Sequence, residues 1–165
     1  MKRLLFVLLV LAISVPCDAL YARRDKSPKR NNGASIEKVA PVPMPEDAVM
    51  RVEVMPKYKF GELPEFRKWV AGRLKCPKSV YTDLKALGYT EKAVLCVMFF
   101  VDVDGTAKFV ETRLDLSHNF AKFENAELDE ALARIIASGP QWSPAMQGGE
   151  PKRVQFMMPL TIEIW

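Results

Sequence analysis

Val154-Gln155-Phe156-Met157-Met158-Pro159-Leu160-Thr161-Ile162-Glu163-Ile164 carries an apolar residue at every even position. A period of two puts those side chains on one face of a β-strand and the odd residues on the other. A strand of this kind belongs to a sheet covered by helices on one side. The expected class is therefore α+β: a two-layer sandwich, with helices packed on one face of a small antiparallel sheet. Pro159 has no N–H to give to a ladder, so one side of this strand is expected to be unpaired there.

Working upstream, Glu127 to Ala137 predicts a helix with Leu128, Ala131, Leu132, Ile135 and Ile136 as its buried stripe. Glu127, Asp129 and Glu130 complement the dipole in its first turns, and Ser138-Gly139-Pro140 stops it. Before it, Ala93 to Val101 and Thr106 to about Leu114 flank Asp104-Gly105, a hairpin signal. A first helix is expected over Glu62 to Lys75, with Phe66, Trp69, Val70 and Leu74 on one stripe and Trp69 as a core anchor. Pro64 suits its first turn, and Cys76-Pro77 ends it. Ser79 to Leu87 predicts a short helical turn before Gly88. Arg51 to Met55 alternates briefly like a strand, and Asp115 to Asn125 is polar and irregular.

Little of this pattern carries chemistry. Asp102 and Asp104 suit an Asx or hairpin turn, and the spacing of a calcium loop is missing. His118, the one histidine, sits in a polar loop with no triad partner in its local context. Glu127 and Glu130 read as a solvated, dipole-matched face rather than an acid–base pair. Gly148-Gly149-Glu150-Pro151 is a turn without the Lys-Ser/Thr of a phosphate loop. Cys76 and Cys96 fit either a pair in an oxidising compartment or two small buried hydrophobes. Neither an enzyme, nor a metal site, nor a cofactor is expected.

The other end of the chain speaks to location. Lys2 and Arg3, the apolar run Leu4 to Val15, and small residues at Ala19 and Ala22 predict a secretory signal peptide over residues 1–22. Residues 23–50 are expected to be a disordered linker, basic at first and then proline-rich from Ala40 to Pro45. Six cations and two carboxylates give 23–38 a net charge of +4, as large as that of the whole chain. The positive charge therefore precedes the domain, placed at 51–165. With no ordered basic face carrying aromatic platforms, nucleic acid is not an expected partner.

Taken in order, the pieces resemble the C-terminal domain of the TonB energy-transducer family over roughly Met55 to Trp165. Tyr58-Lys59-Phe60-Gly61 stands where that family has Phe-Pro-Gly-Gly. Leu74-Lys75-Cys76-Pro77 resembles its helix end, and Val97 to Val101 with Asp104-Gly105 its hairpin. Leu128 to Leu132, Pro140-Gln141-Trp142-Ser143-Pro144-Ala145, Gly149 to Val154 and a last strand with Pro159 follow. The resemblance implies a periplasmic domain that binds an extended segment of an outer-membrane receptor by strand addition, in energy-coupled transport. Inner-membrane motor proteins would be further partners, another envelope protein could take the receptor's place, and a homodimer stays open. The expected partner-binding residues are Arg153, Gln155, Met157, Thr161 and Glu163. The signal-like start and short spacer depart from a full transducer, which leaves a stand-alone periplasmic binding or structural module as the alternative.

Overall fold

The computed structural model describes residues 39–117 and 119–165. The expected signal peptide, the basic tract 23–38 and His118 lie outside the described residues. Within them the elements run α1 Leu63–Ala71, α2 Lys78–Ala86, β1 Lys92–Val101, β2 Ala107–Asp115 and β3 Phe120–Lys122, then α3 Ala126–Ala137, β4 Ala145–Gln147, β5 Glu150–Lys152 and β6 Val154–Glu163. One antiparallel sheet has the order β3-β2-β1-β6, and β4 and β5 form a separate ladder.

Alternation decides which residues meet. Leu95, Val97, Phe99 and Val101 of β1 join Met158, Leu160 and Ile162 of β6 in one core with Phe66 and Val70 of α1, Val80 and Leu84 of α2, and Leu128, Leu132 and Ile136 of α3. Each of the larger side chains stabilises the fold by roughly 1.5–3 kcal/mol through burial. The α+β class with an antiparallel sheet agrees with the sequence reading. The other face of β1 is more buried than one-sided alternation suggests: Cys96, Met98 and Phe100 are buried too. They lie in register between Arg113, Glu111 and Lys108 of β2 and Pro159, Met157 and Gln155 of β6, whose longer side chains flank this central row.

Several boundaries differ from expectation. α1 stops at Ala71, where Gly72 caps it, and Leu74 to Pro77 is irregular. Ser79 to Leu87 is not a short turn but the greater part of a full helix, which starts right after Pro77. In α3 the buried positions are Leu128, Leu132, Ala133 and Ile136, while Ala131 and Ile135 are half-buried; Asn125 caps the helix by accepting the Leu128 N–H at 2.9 Å. Trp69 is a rim residue, stacked on Phe66 at 5.7 Å and covered by the Arg73 guanidinium at 4.3 Å. Trp142 takes the central place, with Tyr58, Phe66 and Phe99 around it.

Two motifs that are far apart in sequence form one junction here. The Gly105 carbonyl accepts the Trp142 N–H at 2.9 Å, and the Gln141 amide donates to the Asp104 carbonyl. Gly105 has φ +82, and a Cβ there would lie 2.1 Å from the Trp142 carbonyl oxygen. The turn therefore needs glycine for its conformation and again for the close approach of Gln141-Trp142.

The assignment of 23–50 to a linker is corrected over 39–50. Val39 packs against the core, and Val42, between two prolines, gives its N–H to Phe109 O at 3.0 Å on the outer edge of β2. Prolines alternate here, so every second residue keeps a donor, and an extended proline-rich strap can still pair with an edge. The strap continues to the opposite edge of the sheet. Val49 donates to Arg153 O at 3.0 Å and accepts from Gln155 N at 2.9 Å, a parallel bridge beside β6. Val54 then pairs with Met146 and Tyr58 with Trp142. The compact unit spans residues 38–165, rather than starting at 51.

Candidate functional site

β6 is an edge strand. Its even residues turn their backbone groups toward β1, as the Ile164 N–H does toward Glu91 O at 2.8 Å. Its odd residues turn theirs outward, as Gln155, and Arg153 just before the strand, do toward Val49. Met157, Pro159, Thr161 and Glu163 therefore line the outer edge, and among the described residues no strand pairs with them. The missing N–H of Pro159 also faces outward, so the β1–β6 ladder loses nothing. That is why a proline is tolerated in the middle of a ten-residue strand.

The five expected partner-binding residues divide accordingly. Arg153 and Gln155 are already engaged by this chain, because Val49 occupies the backbone carbonyl of the first and the N–H of the second. The Arg153 guanidinium also holds both oxygens of Asp47, at 3.0 and 2.7 Å, and Asp102 at 2.8 Å. For these two residues the expectation is corrected: they anchor the strap. Met157, Thr161 and Glu163 remain on the open edge, their side chains alternating with the core residues Met158, Leu160 and Ile162.

Beside this edge runs a groove of about 490 Å³ between β6 and the helical layer. Pro159 to Glu163 form one wall. Arg67, Lys68 and Ala71 of α1, with Leu74, Cys76, Tyr81 and Trp165, form the rest. The sequence explains the division of α1. Phe66 and Val70 are one turn apart and buried, while Arg67 and Ala71, shifted by one residue, share the adjoining face toward the groove. Ala71 offers only a methyl group, which leaves the space open. Burial pushes the Cys76 thiol up, against a hydrogen bond with Tyr81, so it remains a neutral, weakly polar surface at neutral pH. Arg67 and Lys68 make no salt bridge among the described residues. Sequence reasoning missed this second wall. The two cations off the apolar stripe of α1 were visible, but Tyr81 and Trp165 meet them only in the fold.

The aspartates near the hairpin serve the turn. Asp102, only 8% exposed, accepts from Lys108 at 2.7 Å, Arg153 at 2.8 Å and the Val103 N–H at 2.8 Å. Burial raises its pKa, but these donors outweigh burial and hold it at about 2. Asp104 accepts from the N–H and hydroxyl of Thr106. Cys76 and Cys96 are free thiols, one in the groove and the other on the far face of β1. Among the described residues, no group of three or more His, Cys, Asp or Glu side chains is placed to hold a metal ion. None of their helices is long and apolar enough to cross a membrane.

Compared with protein-family models, curated proteins and solved structures, the chain has no match in any of the three.

Proposed function

We propose that this is a TonB-like binding domain of the periplasm that adds an extended segment of an outer-membrane receptor to β6 as a further strand, as part of energy-coupled transport. The observation that carries this reading is the outer edge from Met157 to Glu163, unpaired among the described residues and bordered by a groove. Main-chain hydrogen bonds along such an edge supply affinity, and alternate side chains of the added strand enter the groove and supply selectivity. The resemblance noted in the sequence adds support through its order of motifs. Two of them, Asp104-Gly105 and Pro140-Gln141-Trp142, meet at one junction.

Titration of the isotopically labelled chain with N-terminal segments of outer-membrane receptors tests this. The expected result is shifted and protected amides at Met157, Thr161 and Glu163. Shifts restricted to residues 23–38 would contradict it. Inner-membrane retention of the chain, with residues 1–20 intact, would favour a self-anchored transducer. Release as a soluble form that begins near residues 19–24 would instead favour the stand-alone module.

A further inference from the structure

The charges of the fold are segregated along the chain. Nine Lys and Arg against four Asp and Glu give residues 57–92, which hold α1 and α2, a formal charge of +5. Residues 93–165, with six cations against ten carboxylates, come to −4. The positive charge is displayed to solvent. Arg67 and Lys68 of α1, Arg73 and Lys75 of the connection, and Lys78 and Lys85 of α2 are all exposed, and none makes a salt bridge among the described residues. The one carboxylate between Phe66 and Ala86 is Asp83, which is half-buried and accepts the Asn125 side-chain amide at 2.7 Å, toward the start of α3.

These cations border one another in space. Lys78 and Lys85 are two turns apart and share a side of α2, away from the buried Val80 and Leu84. Lys85 Nζ donates to Trp165 O at 2.7 Å, and Trp165 lines the same groove rim as Arg67 and Lys68 of α1. The two helices therefore meet at Trp165. Its side chain is 86% exposed, the highest value for a large apolar residue among those described, with cations from both helices beside it.

We propose that this α1–α2 face docks on an anionic phospholipid surface. Trp165 enters the boundary between headgroups and acyl chains, and the six cations meet lipid phosphates. The proposal goes beyond strand addition and does not rest on it. Cations spread over two helices and their connection match a sheet of charge rather than a single anion. Each Lys or Arg near such a surface strengthens binding about fivefold, and its methylene stem lies on apolar material while the head stays at the phosphates. Tryptophan favours the same boundary. An acidic protein surface would satisfy the cations but leave the exposed ring without a role, and one ring is not the stacking platform that a nucleic acid needs. A second copy is a poor counterpart too. In its acidic part Asp102, Glu111, Glu124, Glu130 and Glu150 are already in salt bridges with their own cations.

Co-sedimentation of the full chain with vesicles of phosphatidylcholine alone, or mixed with phosphatidylglycerol, tests this. The gain in affinity from neutral to anionic vesicles is the readout, because any partition of the apolar run Leu4 to Val15 is common to both. The triple variant Lys68→Glu, Lys75→Glu, Lys78→Glu should lose about 100-fold or more of that gain. A control of identical net charge, Arg51→Glu, Lys122→Glu, Lys152→Glu, should keep most of it, since Lys122 and Lys152 give up only exposed ion pairs. In the unaltered chain the gain should fall steeply with salt. Residues 1–38 contain no tryptophan, so emission reports the folded part: anionic vesicles should shift it to the blue, and Trp165→Phe should abolish the shift. Equal losses in the two triple variants would assign the gain to overall charge and overturn the proposal. A full shift in Trp165→Phe would overturn it as well. So would release of the chain from vesicles by polyglutamate or an oligonucleotide at the same charge concentration as the lipid, in favour of a soluble polyanion.

Discussion

At Asp102 one carboxylate joins three distant parts of the chain. It receives Lys108 from β2, Arg153 from just before β6 and, through Arg153, the strap residue Asp47. Its folded pKa of about 2 lies below the value of about 3.9 for an unfolded aspartate. A lowered pKa contributes stability above the unfolded value, and that contribution is lost as pH falls through the folded one. The window is thus from about pH 4 down to about pH 2. Because Lys108 and Arg153 are partly exposed, the contribution is about 1–2 kcal/mol rather than the full linkage value. Urea denaturation between pH 2 and pH 7 should show this loss in the native chain, and Asp102→Asn should flatten that part of the profile. An unchanged slope in the variant would assign the acid sensitivity to other groups. Residue identity gave a partial view here. The turn role of Asp102 and Asp104 was legible, because Asx geometry is local. The ion pair with Arg153 joins residues far apart in sequence and only tertiary structure sets it.

The same division holds among the elements. The hairpin of β1 and β2, α3 and β6 were readable because each carries its own period and its own stop signal. α2 was underestimated because Lys78 to Ala86 buries only Val80 and Leu84, a stripe of two. The open side of β6 was legible from Pro159 alone, but its extent was not, since the strap covers Arg153 and Gln155. Pro159 has a second consequence as an edge residue: a missing donor in mid-edge discourages pairing with other edges. Pro159→Val adds an outward N–H and a β-branched side chain without touching the β1 ladder. The variant should keep the folding stability of the parent within about 1 kcal/mol. It should also self-associate more strongly, which sedimentation velocity over a range of concentrations would detect. Unaltered sedimentation would show that the proline does not guard this edge.

For the whole molecule, the strap changes where the domain begins. A proline-rich stretch after a basic tract has the composition of a linker, and composition cannot show that Val42 and Val49 find unpaired edges on opposite sides of the sheet. Three backbone hydrogen bonds, Val42 to Phe109, Val49 to Arg153 and Gln155 to Val49, hold it, together with the Arg153–Asp47 pair and the packing of Val39. At about 1 kcal/mol for each net hydrogen bond, removal of residues 1–50 should cost about 2–4 kcal/mol. A boundary at residue 51 predicts no such loss. Hydrogen exchange separates the strap from a general loosening of the fold. In the shortened chain the Gln155 amide, which donates to Val49, should exchange much faster, whereas the β1-facing amides of Met158 and Leu160 keep their relative protection. Unchanged stability together with a still-protected Gln155 would mean that the strap does not close this end of the edge. If Gln155 opens as expected, a longer receptor segment should gain affinity for the shortened chain, because Arg153 and Gln155 then join Met157, Thr161 and Glu163 as pairing positions.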